Sequence, residues 1–221
     1  MEFFTKEDFK MNSNWGVSIT PIEYDGKREF ILYINDLYKK PYRVYEYLKQ
    51  CPIASHKPHS PKSKNGKWFL DGQQYVNNAW DDARAHLFDK IIQFYQLEVE
   101  PHTPFPPMSM YNQFRLLEDH PGEDKFFCPH TDKRLNCCLY LTPNKSNSFG
   151  TTIYSPVKDE DVKNNLEHEE PWQDTSRYTP LISIMSVFNS MAVFPGHMLH
   201  GQTILDNTFK NKTRFTEVAF F

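Results

Sequence analysis

The sequence predicts a mostly β chain with flanking helices, and three observations carry that reading. Residues 108 to 221 hold seven short apolar or alternating segments separated by turn residues, which favours a barrel or sandwich. Only the stretch around residues 80 to 94 repeats its apolar residues at a sustained helical spacing. Four prolines within residues 101 to 107 forbid regular pairing and mark the entry to the second half. With 221 residues, 39% of them hydrophobic and 15% aromatic, the chain can bury one sizeable core. A single domain over residues 1 to 221 is expected. Residues 1 to 107 form a hairpin and helical support region, and residues 108 to 221 a β core interrupted by an insertion at 155 to 180.

In chain order, Val17 to Tyr24 and Arg28 to Ile34 read as a hairpin around the turn pair Asp25-Gly26. Pro41 suits the first turn of a short helix through Val44, Tyr47 and Leu48, ended by Cys51-Pro52. Residues 56 to 67, HKPHSPKSKNGK, carry basic and turn-forming types without apolar period and read as an exposed loop. That loop is either a solvated surface loop, or a lid or a contact for an anionic substrate. Asn77 and Asn78 can cap the helix in which Trp80, Ala83, Leu87, Ile91 and Phe94 form a core stripe, with Asp81, Asp82, Arg84 and Lys90 on its other sides. The later strands are expected at Ser109 to Leu117, Leu135 to Leu141, Thr151 to Tyr154, Leu181 to Phe188, Met191 to Phe194, Gly201 to Leu205 and Arg214 to Phe221.

Charge and cysteine usage narrow the function classes. A formal net charge of -3 gives no global basic field and argues against a nucleic-acid partner. Cys51, Cys128, Cys137 and Cys138 lack a paired metal-binding spacing and are read as reduced. The first residues, MEFFTKEDFKMNSNW, lack the basic-then-apolar order of a secretory signal, and no apolar run approaches the length of a membrane span. A soluble, cytoplasmic protein is the expectation, and nothing in the residues specifies an oligomeric state.

The chemistry concentrates at His130-Thr131-Asp132. Side chains alternate along an extended segment, so His130 and Asp132 point to one side. His200 lies 68 positions after Asp132 (200 minus 132), behind the turn-prone Phe194-Pro195-Gly196. Two imidazoles and one carboxylate are the ligand set of a mononuclear non-haem iron centre with open positions on its far face. His197 competes with His200 for the third position; His200 is preferred, and His197 is expected beside the site or exposed. Cys128 is left structural, because a soft thiolate favours zinc. Arg214 follows His200 by 14 positions (214 minus 200) and offers a fixed, bidentate cation.

Over residues 108 to 221 the order of HTD at 130 to 132, LNCCLYL at 135 to 141, FPGHMLHG at 194 to 201 and RFT at 214 to 216 resembles the Fe(II)- and 2-oxoglutarate-dependent dioxygenases, closest to their prolyl-hydroxylase-like branch. The resemblance implies a double-stranded β-helix core, that is, a cupin-like jelly roll. It implies that His130, Asp132 and His200 bind Fe(II), and that Arg214 pairs with the distal carboxylate of 2-oxoglutarate, assisted by Thr216 and Tyr140. Asn112 is a weaker candidate for the other end of that co-substrate. With O2 such a centre hydroxylates an unactivated C–H bond and releases succinate and CO2. The substrate would be a protein side chain, an amino acid or a small metabolite, and Asp132 argues for hydroxylation over halogenation.

Arg134, Asn136 and Cys138 share the side of Tyr140 and are candidates for substrate contact, whereas Leu135, Cys137 and Leu139 face the opposite layer. For Arg134 an exposed strand-end charge is an equal reading. Trp172 and Trp68 are either walls of a substrate cleft or anchors for their loops. Two alternatives remain: a nucleic-acid oxidative demethylase using the same iron centre, and a non-catalytic jelly-roll binding module.

Overall fold

The computed structural model describes residues 4–50, 53–55, 66–69, 82–98, 108–112, 129–132, 135–143, 149–157, 175–204 and 214–220. They form eleven strands and two α-helices: β1 (Gly16–Tyr24), β2 (Lys27–Asn35), α1 (Pro41–Gln50), β3 (Ile53–Ser55), β4 (Gly66–Phe69), α2 (Asp82–Phe94), β5 (Met108–Asn112), β6 (Leu135–Tyr140), β7 (Phe149–Tyr154), β8 (Pro180–Met185), β9 (Ser190–Pro195), β10 (His200–Ile204) and β11 (Arg214–Phe220). Eight of the strands make one sheet in the order β1-β2-β9-β6-β11-β5-β4-β3, and β10-β7-β8 make a second. All pairings are antiparallel.

The expected hairpin forms, and its turn shows why Asp25-Gly26 sits there. Both residues have positive φ, 50° and 74°, the left-handed pair that a two-residue hairpin turn of matching twist demands. Glycine meets that demand without steric cost. The hairpin is part of the large sheet, because β2 pairs with β9.

Alternation sorts the large sheet into two faces. Leu135, Cys137 and Leu139 of β6, Met191 and Val193 of β9, Leu32 and Ile34 of β2, and Phe215 and Ala219 of β11 are buried in one cluster with Val44 and Leu48 of α1 and Leu87, Phe88 and Ile91 of α2. Tyr140, Ala192, Phe194 and Ile31 point the other way and pack with Ile153 and Ile184 of the small sheet. The helices thus cover one face and the small sheet the other, so the space between the sheets is where a site can be walled from water. Among the described residues no helix is long and apolar enough to cross a membrane.

Three expectations change. Arg84, read on the polar side of its helix, is fully buried; its guanidinium pairs with Glu217 of β11 and donates to the Tyr38 hydroxyl at 3.1 Å. Positions 84, 87, 88 and 91 lie on one helical stripe, and spacing rather than polarity decides which way a side chain faces. Residues 53–55 and 66–69 pair as strands, with the tail of the basic segment at Gly66 and Lys67 opening β4. Segments this short carry too few positions for a period to be seen. The strand expected to reach Phe188 stops at Met185, because Val187 to Ser190 form a turn in which Asn189 has a φ of 66°. The Asn189 side chain bonds both the amide and the carbonyl of Tyr38, at 2.8 and 3.1 Å, so the turn is held by tertiary contacts rather than by its own sequence. Asn77, Asn78, Trp80, residues 56–65 and residues 158–174 lie outside the described residues.

Gly150 gives a stability test of the small sheet. A Cβ built there falls 1.8 Å from the carbonyl oxygen of Ile184 on the paired strand β8. Alanine in place of glycine gains roughly 0.4–1 kcal/mol through the unfolded chain, whereas overpacking costs about 1–3 kcal/mol and a backbone carbonyl in a ladder has little room to yield. The clash wins: Gly150→Ala is expected to lower the thermal midpoint by several degrees in a calorimetric scan. An unchanged or higher midpoint would contradict the close approach.

Candidate metal centre

The site is assembled from the backbone outward. His130 stands in a single antiparallel bridge with His200, each amide bonding the other's carbonyl at 2.8 and 2.9 Å. That isolated bridge sets the segment 129–132 beside the start of β10, at the edge of the small sheet. Asp132 N donates to Gly196 O at 2.6 Å, and Leu199 N donates to the hydroxyl of Tyr24 at 2.7 Å. The turn between β9 and β10 is therefore pinned from both sides, which fixes where His200 starts its strand.

The side chains converge accordingly. His130, Asp132 and His200 each offer a donor atom, all within 4.8 Å of one another. Asp132 Oδ2 is 3.3 Å from His200 Nε2 and 3.9 Å from His130 Nε2, and the two imidazole centroids are 4.5 Å apart. His200 Nδ1 lies 2.8 Å from the carbonyl oxygen of Met198, which only accepts, so Nδ1 carries a proton and Nε2 is the ring nitrogen turned toward Asp132 and Asn136. Burial works to raise the Asp132 carboxyl, but the His200 hydrogen bond, the neighbouring charges of His130 and His200, and the Asn136 amide hold it below the ordinary carboxylate range. An ionised carboxylate beside two imidazoles is a donor set of nitrogen and oxygen that suits a first-row divalent cation. No other group of three His, Cys, Asp or Glu with this spacing occurs among the described residues.

The expected competitor is elsewhere: His197 is exposed, 3.3 Å from Glu29 Oε1, with its ring against Tyr24. Arg214 begins β11, is buried, and sits opposite Asn112 in the register, while Thr216 is opposite Tyr140. Of Asn112 only the backbone position is described. Burial pushes the Arg214 guanidinium down, and Tyr140 and Cys138 of the neighbouring β6 act against that shift. Thr216 Oγ1 is buried with no hydrogen-bond partner among the described residues. Asn136, a candidate for substrate contact, lies against two of the candidate metal ligands, with Nδ2 2.7 Å from Asp132 Oδ2 and 3.1 Å from His200 Nε2. Arg134, Trp172 and Cys128 lie outside the described residues, and of Trp68 only the backbone is described.

Two inward-facing groups escaped the sequence reading. Thr151 accepts or donates to the Tyr140 hydroxyl at 2.9 Å, and Gln202 pairs across the strands with Thr151. The Gln202 Oε1 is buried without a partner among the described residues. Alternation from His200 marks Gln202, and the register then marks Thr151, so the signal existed once the pairing was known. Cys137 and Cys138 are both unpaired thiols; burial pushes Cys138 up to about 12 despite a Thr151 hydrogen bond and the Arg214 charge. It is therefore a neutral wall rather than a thiolate ligand. No family model and no curated protein matches this chain.

Proposed function

We propose that the chain is an Fe(II)- and 2-oxoglutarate-dependent dioxygenase on a double-stranded β-helix, hydroxylating an unactivated C–H bond of a protein side chain, an amino acid or a small metabolite. The single observation that carries this is the meeting of His130, Asp132 and His200 at donor distance from segments far apart in the chain. The strand order supports the fold reading. From β5 onward the chain contributes four neighbours to the large sheet, β9-β6-β11-β5, and four to the small one when the bridged segment at His130 is included. Eight segments shared by two facing sheets are what a jelly roll requires.

The residues present fit the metal and the co-substrate. His130 and His200 would hold the ion through imidazole nitrogens and Asp132 through a carboxylate oxygen, leaving it short of a full set of protein donors. Bound Fe(II) would supply the redox-active site at which dioxygen reacts and a Lewis-acid anchor for the 2-oxo acid, whose oxidation to succinate and CO2 would furnish two of the electrons. The protein's own part is orientation and exclusion of water. The guanidinium of Arg214 answers the distal carboxylate of the dicarboxylate with two parallel N–H donors. Thr216 Oγ1, which lacks a partner among the described residues, adds a third polar contact there. Ile153, Ile184 and Phe194 are buried in the apolar core between the two sheets, with the Phe194 ring against His200.

The test is biochemical. With Fe(II), 2-oxoglutarate and no oxygen, the wild-type protein is expected to develop the visible charge-transfer absorption of a chelated 2-oxo acid, and on admission of air to form succinate. Asp132→Ala is expected to abolish both, since the site loses the one carboxylate it has among the described residues. A protein that holds Fe(II) yet neither binds 2-oxoglutarate nor yields succinate would leave the dioxygenase reading without support.

A further inference from the structure

Asn136 occupies a position that hydrogen bonding alone explains poorly. It is 1% exposed, at the first inward-facing position of β6. Its Nδ2 donates into Asp132 Oδ2 and approaches His200 Nε2, the same two atoms that would hold a cation, while its Oδ1 is buried with no hydrogen-bond partner among the described residues. A buried amide oxygen without a partner costs on the order of 1–3 kcal/mol, and native structures contain few of them.

The three atoms form a triangle with edges of 2.7 Å (Asn136 to Asp132), 3.1 Å (Asn136 to His200) and 3.3 Å (His200 to Asp132). An octahedral ion with bonds of roughly 2.1 Å spaces adjacent donors about 3 Å apart. The amide therefore stands where a fourth donor would stand. A half turn of the amide exchanges Nδ2 for Oδ1, and this terminal torsion is soft and nearly two-fold. We propose that Asn136 is a fourth protein group of the metal centre: its NH2 joins Asp132 to His200 when no cation is bound, and its Oδ1 is a metal donor when one is. This rests on the metal-centre reading above. It also separates the roles along the inner face of β6, with Asn136 at the metal end and Tyr140 at the Arg214 end.

The aspartate variant discriminates a ligand from a mere hydrogen-bond donor, because it keeps an oxygen and loses the NH2. In Co(II) titrations followed by visible absorption, Asn136→Ala is expected to weaken binding roughly tenfold or more. Asn136→Asp is expected to bind at least as tightly as wild type. Equal weakening of both variants would mean that the side chain only steadies Asp132, and no change in either would remove it from the site; each result overturns the proposal while leaving the iron centre standing. A second readout needs no variant: on Zn(II) loading of the wild-type protein, the side-chain carbonyl carbon of Asn136 is expected to shift in the NMR spectrum, and an unmoved resonance overturns the assignment. Should the wild type bind neither ion, with His200→Ala as the matched control, the metal centre itself falls, and the two failures are thereby distinguished.

Discussion

Arg84→Ala is expected to lower the unfolding free energy by about 3–5 kcal/mol, a large share of the roughly 5–15 kcal/mol that holds a typical domain together. The side chain is 1% exposed and its partner Glu217 3%, so neither ion has water to fall back on. Truncating the arginine leaves the Glu217 carboxylate buried without the Arg84 charge, and the Tyr38 hydroxyl loses its 3.1 Å donor as well. The cost comes from the charge left behind rather than from the worth of the pair. A double variant, Arg84→Met with Glu217→Leu, is accordingly expected to recover most or all of the loss. Urea unfolding followed by circular dichroism gives both values, and a loss below about 1 kcal/mol for the single variant would show that the buried pair is not as desolvated as its geometry implies.

That same arginine shows what was legible and why. The faces of β6 follow from alternation alone: Leu135, Cys137 and Leu139 go to the helices, and Asn136, Cys138 and Tyr140 go inward. A strand paired on both edges has no freedom to depart from its period. Arg84 was misread because its chemical type outweighed its position; what makes burial tolerable is Glu217, 133 residues away, and no local window contains it. The convergence of His130, Asp132 and His200 was legible because each residue type is diagnostic and the order is constrained. Gln202 and Thr151 were not, because glutamine and threonine become informative only when the β7–β10 register sets them opposite each other. Asn136 falls between these cases: its face was readable, but its role depends on distances of a few tenths of an ångström, which no pattern of residue types encodes.

Arg214→Met is expected to weaken 2-oxoglutarate binding by about 2–4 kcal/mol, or roughly 30- to 700-fold, while Co(II) binding stays within a factor of a few. The reason lies in where the charge is. Arg214 is 6% exposed, so a carboxylate brought to it leaves water and needs the guanidinium's charge and donors in exchange. Methionine fills similar volume and offers neither. Lysine keeps the charge but loses the planar fork, so Arg214→Lys is expected to fall between the two. A structural role would also weaken binding, and ligand chemistry tells the two apart. A 2-oxo acid without a distal carboxylate makes no use of Arg214, so the variant is expected to bind it about as well as the wild type does. Affinities of both acids for both proteins, measured by calorimetry on the metal-loaded and oxygen-free protein, form a cycle whose coupling isolates the guanidinium–carboxylate contact. Equal losses for the two acids would mean that β11 has shifted rather than that a contact has gone, and Arg214 would then have to be removed from the binding site.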